Sequence, residues 1–130
     1  MPAVPLPFVY AFDVDHTLWV SGGPIRLPDL VVLRQAGNCL GLCGNFGALT
    51  TRLPDWYLLF SFIGPMAMTK SDFLKQIRTY VRASDYIIVG NEGDGVATDQ
   101  SGVIISKDKL AADEAGWRFI SEVAFSLGSR

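Results

Sequence analysis

The sequence predicts an α/β fold, a Rossmann-like three-layer α/β/α sandwich on a parallel sheet of about five strands. Three observations predict it. Short apolar runs recur along the chain, at Phe8 to Val14, Cys39 to Cys43, Leu59 to Ile63, Tyr86 to Gly90 and Arg118 to Ile120. The first reads apolar on both faces, as a central parallel strand covered by helices should. Between the runs lie segments with helix start and stop signals or with apolar residues at helical spacing, and such strand–helix alternation argues for βαβ units. Parallel sheets of this kind bind ligands beyond the carboxyl ends of their strands. Asp13, Asp15, Gly44, Asn45, Asn91 and Lys70 all fall at or just past those ends.

A chain of 130 residues has room for one domain and one core, so 1–130 is read as a single domain. With 49% hydrophobic and 18% charged residues, it has the composition of a well-buried domain and not of a disordered one. A net charge of −2 and scattered Lys and Arg give no case for nucleic-acid binding. Cys39, Cys43 and the single histidine, His16, are too few for a zinc site of side chains. The cysteines read as buried thiols of a reduced compartment. MPAVPLPF has three prolines and no basic segment, which makes a poor secretory signal. The uncharged stretch Trp56 to Thr69 is broken by Gly64-Pro65 and too short to span a bilayer. A soluble, cytoplasmic protein is expected.

Taken in order, Pro2, Pro5 and Pro7 hold the entry extended, and strand one ends in two carboxylates two residues apart. Side chains alternate along a strand, so Asp13 and Asp15 are expected on one side. Ser21-Gly22-Gly23-Pro24 signals a turn. Leu27-Pro28-Asp29 opens a helix that Gly37 is placed to stop. The second strand, Cys39 to Cys43, runs into Gly44-Asn45, which on its own reads equally as a turn. Pro54-Asp55-Trp56-Tyr57 suggests a helical turn before strand three. Ser71 is a plausible N-cap for a helix carrying Phe73, Leu74, Ile77 and Val81. Tyr86 to Val89 is the clearest later strand, ended by Gly90-Asn91, and Asp108 opens the next helix. Arg118 to Ile120 is the last strand, and the remainder reads as a tail.

FDVDHTL, Phe12 to Leu18, resembles the first motif of the haloacid dehalogenase-like phosphatases, an apolar strand followed by DxDxT. His16-Thr17-Leu18-Trp19 looks most like the small magnesium-dependent phosphatases that lack a cap domain. The resemblance covers nearly the whole chain and implies a haloacid dehalogenase-like core. A short β flap is implied around 18–26, and the helix opening at Leu27 leaves no room for a cap after the first motif. The family usually carries Ser or Thr at the second motif, often followed by Asn; here Gly44 stands at the hydroxyl's position and Asn45 matches the Asn. Lys70, shortly after strand three and at the mouth of a helix, matches the third motif, with Lys75 as the fallback. At the fourth, the family reads Gly-Asp and then a second acid, whereas this chain has Gly90-Asn91. Asp108, followed by small residues and Ala115-Gly116, is aligned with the second acid across a loop or hairpin insertion at about 92–107. Asp94 and Asp99 are the competing acids.

The resemblance implies Mg²⁺-dependent hydrolysis of a phosphoric monoester through an aspartyl-phosphate. Oxygen ligands without a nitrogen or sulfur set favour the same ion. Asp13 is the expected nucleophile, Asp15 the general acid and base, and Lys70 the counter-charge to the phosphoryl oxygens. Gly44, Asn45 and Lys70 are the expected phosphate-binding positions, and Asp13, Asp15, Asn91 and Asp108 the expected metal positions. His16 either contacts a leaving group or is a structural ring at the edge of the site. A capless site is open, which suits a phosphorylated small molecule or a bulky phosphoester unless the insertion or a second subunit of a homo-oligomer covers it. The alternative is an attenuated domain of the same fold that binds metal, phosphate or a protein, which Gly44 and Asn91 favour. A receiver domain is a third reading, weakened because receivers carry their phosphorylated Asp on a later strand.

Overall fold

The computed structural model describes residues 6–91, 96–98, 102 and 104–130. Among the described residues these α-helices and strands follow one another: β1 (Phe8–Phe12), α1 (Leu27–Gln35), β2 (Cys39–Cys43), α2 (Phe46–Arg52), β3 (Phe62–Gly64), α3 (Lys70–Tyr80), β4 (Asp85–Gly90), β5 (Val96–Thr98), β6 (Ile104–Ser106), α4 (Lys107–Ala115), β7 (Arg118–Ser121) and α5 (Glu122–Ser126). Five strands form one all-parallel sheet in the order β3-β2-β1-β4-β7. This is the Rossmann-like α/β arrangement expected. No helix among the described residues is long and apolar enough to cross a membrane.

The central place of β1 follows from its composition. Tyr10 and Phe12 point to one face, where they pack with Leu30, Leu33, Leu49, Phe60 and Phe125. Val9 and Ala11 point to the other, against Phe73, Leu74, Ala111, Ala112 and Ala115. Helices α1, α2 and α5 thus cover one face, and α3 and α4 the other. A strand with such residues on both sides has no face to offer water, so it belongs in the middle.

β1 stops at Phe12, two residues earlier than the apolar run suggested. Asp13 N–H still donates to the Val89 carbonyl (2.9 Å), but the Val14 carbonyl is taken by the N–H groups of Thr17 (3.2 Å) and Leu18 (3.0 Å). The chain therefore turns before Asp15, and strict strand alternation does not reach that residue. In place of a β flap, residues 18–26 hold a 3₁₀ turn at Trp19–Ser21 and a single bridge between Leu18 and Ile25.

Strand three is shifted as well. A 3₁₀ turn at Trp56–Leu58 continues through Leu59, whose φ and ψ are −109° and −43°, so Leu59 and Phe60 plug the core and the strand begins at Phe62. The cap of α3 is Thr69, whose hydroxyl accepts from Asp72 N–H (3.2 Å); Ser71 lies buried in the first turn. A hydroxyl caps the N–H two or three residues on, and Asp72 stands at that distance from Thr69. α4 is capped by Ser106 and ends at Gly116.

Two helices were not expected. α2 grows directly out of Gly44-Asn45 and is anchored by buried Leu49. The segment read as a tail contains α5, in which the Ser121 hydroxyl accepts from Ala124 N–H (3.1 Å) and Phe125 is wholly buried. The insertion at 92–107 includes an antiparallel ribbon, Val96 pairing with Ser106 and Thr98 with Ile104. Asp94 and Asp99 lie outside the described residues.

Candidate active site

At the carboxyl ends of β1, β2 and β3 a cleft of about 570 Å³ is lined by Asp13, Asp15, His16, Gly44, Asn45, Pro65 and Lys70. A neighbouring cavity of about 430 Å³ shares Asp13 and Lys70 and adds Asp108, Lys107 and Glu114. A larger hollow of about 710 Å³ opens at the other end of the sheet, by Phe8, Tyr10 and Asn38, without a comparable group of acids about a lysine. The charged chemistry is at the carboxyl ends.

Asp13 is 8% exposed and stands one residue past β1. Its Oδ1 lies 3.1 Å from Lys70 Nζ, and the Thr17 hydroxyl, fully buried, reaches Oδ2 at 3.5 Å. Lys70 Nζ donates more closely to Asp108 Oδ1, at 2.6 Å. The other oxygen of Asp108 accepts the Asn91 backbone N–H at 3.0 Å. Asp108 is buried in the first turn of α4, where the helix dipole favours a carboxylate. Lys70 therefore bridges two acids delivered by different strand–helix units. Lys75 is exposed on α3, so Lys70 and not the fallback meets the acids.

The electrostatics follow from burial. Desolvation, then the facing Asp108, pushes the Asp13 carboxyl up to about 6, against the pull of Lys70. Burial draws the Lys70 ammonium down, but Asp108 and Asp13 more than offset it and raise it above the ordinary lysine value. Cys43, fully buried at the end of β2, has its thiol pushed up to about 12 by desolvation and is a neutral packing group.

Asp15 is exposed on the cleft wall, with the Asn45 amide 3.3 and 3.4 Å from its two oxygens. The two acids of the DxD thus share one cleft but not one environment: the first is buried and clamped, the second open to solvent. His16, exposed beside them, holds a φ of 58°. Asn91 Nδ2 donates to its carbonyl at 3.4 Å, tying the turn to the end of β4. A non-glycine residue in the left-handed region is uncommon and clusters at functional turns.

Two glycines give the carboxylates their room. A Cβ on Gly44 would stand 2.3 Å from Asp13 Oδ1, and one on Gly90 would stand 2.6 Å from Asp108 Oδ2. Gly90 was not singled out as a site residue beforehand; its position at a strand end just before Asn91 was the available signal. Thr17 both closes the turn after β1 and faces the Asp13 carboxylate.

Among the described residues no three His, Cys, Asp or Glu side chains converge as a metal cluster. The donors present are oxygens: the Asp13 and Asp108 carboxylates, the amide of Asn91 and the backbone around Asp15. Mg²⁺ is ordinarily held by one or two carboxylates with waters and substrate phosphate, not by an all-protein cage, so this donor set fits it. Comparison with protein-family models, curated proteins and solved structures found no match.

Proposed function

We propose that this chain is a Mg²⁺-dependent phosphoric monoester hydrolase, a capless haloacid dehalogenase-like domain working through an aspartyl-phosphate on Asp13. The observation that carries the reading is the pairing of unlike carboxylates in one cleft. Asp13 is buried and held by Lys70, while Asp15 is exposed within reach of Asn45. A nucleophile needs fixed placement, and an acid–base group needs contact with solvent and leaving group.

In the first step the Asp13 carboxylate attacks phosphorus, the ester P–O bond breaks, and Asp15 gives its proton to the departing oxygen. In the second, Asp15 takes a proton from water, whose oxygen attacks the aspartyl-phosphate and releases phosphate and free Asp13. Lys70 holds Asp13 and offsets charge on the phosphoryl oxygens. Asn45 orients Asp15 and, with Gly44, borders the phosphoryl pocket. Mg²⁺, when bound, would offset the repulsion between the phosphoryl group and the carboxylates. Asp13, the Asp15 backbone, Asn91 and Asp108 are the residues that would hold it. Asp108, with one bond to each oxygen from Lys70 and the Asn91 N–H, keeps a lone pair on each and also positions Lys70. The uncovered cleft suits small phosphorylated molecules and bulky phosphoesters alike.

The second reading, an attenuated domain that binds metal, phosphate or a protein partner, draws on the neutral amide of Asn91 at the end of β4. Hydrolysis of an aryl phosphate separates the two. Turnover that needs Mg²⁺, stops with EDTA and is lost in Asp13→Asn supports the phosphatase. Equal inactivity of wild type and Asp13→Asn over a panel of phosphate esters sinks it in favour of a binding domain.

A further inference from the structure

We infer that the hollow at the amino ends of the strands is a second ligand site, which takes a small molecule with an apolar body and a single carboxylate. It lies at the end of β1 away from Asp13, and it does not depend on the phosphatase reading.

The hollow holds about 710 Å³, a volume in the range of small-molecule sites. Leu6, Pro7, Phe8, Val32, Leu33 and Ala36 give it apolar walls. Leu6 and Val32 are left 43% and 66% exposed there, so apolar surface stands ready to cover the body of a ligand. Asn38 fixes one wall. Its Oδ1 accepts the Phe8 N–H at 3.2 Å and its Nδ2 donates to the Leu33 carbonyl at 3.1 Å, so its amide is spent on the fold.

Tyr10 is different. The residue is only 1% exposed, yet its hydroxyl has no hydrogen-bond partner among the described residues. No side-chain nitrogen or oxygen among those residues is sealed from solvent without a partner. The little surface that Tyr10 keeps is therefore at its hydroxyl, on the cavity wall. Buried tyrosines ordinarily spend that group on a partner. Desolvation raises its pKa above the ordinary tyrosine value, against the pull of Arg118 and Arg130, so it remains a donor.

The charges around it choose the ligand. Arg118 is paired with Asp85 at 2.9 Å. Arg130, which also lines the hollow, has no ion pair among the described residues. Its Nη1 donates to the Phe125 and Ser129 carbonyls, while Nε and Nη2 have no acceptor among those residues. The guanidinium is steadied over the Phe125 ring at 3.9 Å. Asp29 is the acid of the lining; its Oδ2 takes the Arg26 N–H at 3.1 Å, and it is not among the charges that act on Tyr10. A phenol and a guanidinium with donors to spare complement a carboxylate. One unmatched cation balances one negative charge, whereas a phosphate dianion would bring an excess charge toward Asp29 and Asp85.

Octanoate is the probe, with octanamide as its neutral counterpart, and backbone-amide NMR of the full chain is the readout. Octanoate should give saturable shift changes at Phe8, at residues 32–38 and at Arg130, and octanamide should bind about tenfold more weakly. Tyr10→Phe keeps the ring and removes the hydroxyl. It should weaken octanoate about fivefold or more while the melting temperature stays near that of wild type, because no protein group loses a partner. Arg130→Gln should erase the preference for octanoate over octanamide. Absence of saturable shifts up to about 10 mM octanoate overturns the site. So do shifts centred on Asp13 and Lys70, equal affinity for octanamide, or a preference that survives in Arg130→Gln. Undiminished binding by Tyr10→Phe, or a fall in its melting temperature, would show that the hydroxyl serves something other than the ligand and would also overturn it.

Discussion

Gly44 and Asp13 approach so closely that a Cβ at position 44 would stand 2.3 Å from Asp13 Oδ1 and 3.3 Å from the Val14 backbone nitrogen. The departure from Ser or Thr at this position is therefore more than a missing hydroxyl. In this site the absent side chain is the space that the Lys70-bound carboxylate occupies. Gly44→Ala should push that carboxylate from its place without unsettling the core, since position 44 lies at a strand end. Misplacing a reacting group by an ångström costs about 10²-fold in rate. Aryl phosphate hydrolysis should fall by about that factor while the melting temperature stays nearly unchanged. Undiminished turnover in the variant would show that Asp13 does not need this rotamer.

The raised pKa of Asp13 sets the acid limb of any pH profile. Its carboxyl is pushed up to about 6, chiefly by desolvation, and in the proposed mechanism only the ionised form attacks phosphorus. With Mg²⁺ well below saturation, where the free enzyme is metal-free, the rate at low substrate should rise about tenfold per pH unit below that value and level off above it. An acid limb breaking near the ordinary carboxylate value, about 4, would mean that a different group controls the free enzyme.

The same shift makes Asp13 a burden on the fold. An acid whose pKa is higher folded than unfolded binds its proton more readily in the native state, so its contribution to stability falls as pH rises. The loss begins near the unfolded value, about 4, and is complete above about 6. Asp13→Asn keeps an acceptor for Lys70 and removes the buried charge. It should be more stable than wild type at neutral pH by about 2 kcal/mol, with the difference closing below about pH 4. Urea unfolding at neutral and acid pH checks both the sign and the window. Inactivity joined to higher stability is the signature of a buried nucleophile.

What could be read from the sequence, and what could not, divides along physical lines. The parallel sheet and its central strand were legible because Tyr10, Phe12, Val9 and Ala11 have no polar face. The meeting of Asp13 with Lys70 was legible from their positions after strand ends, as was the place of Asp108 at the start of α4. Contacts made by backbone or by absent atoms left little trace. The turn bonds of Val14 end β1 before Asp15, and the clearances at Gly44 and Gly90 appear only when other elements are brought alongside. The α3 cap expected at Ser71 falls two residues earlier, where the Thr69 hydroxyl accepts from Asp72 N–H. Apolar residues in short polar stretches were underread: Leu49 and Phe125 each anchor a helix too brief for periodicity to reveal.

Phe125 provides the sharpest test of that last point. Its side chain is wholly buried, edge-on to Phe12 at 5.3 Å between ring centroids and to Tyr10 at 6.3 Å. The Arg130 guanidinium lies over its outer side at 3.9 Å. Such a ring closes one face of the central strand, and truncating it leaves a cavity against both aromatics. Phe125→Ala should cost about 3–5 kcal/mol. For a domain of this size the melting temperature should drop by roughly 10–20 °C. Arg130→Ala removes an exposed cation and its hydrogen bonds to the Phe125 and Ser129 carbonyls (2.7 Å each), and should cost about 1 kcal/mol. Because Phe125 packs on the face away from α3 and α4, hydrolysis measured well below the transition should remain near that of wild type. A segment that merely trailed from β7 would tolerate alanine with no change in melting, and that result would remove α5 from the core.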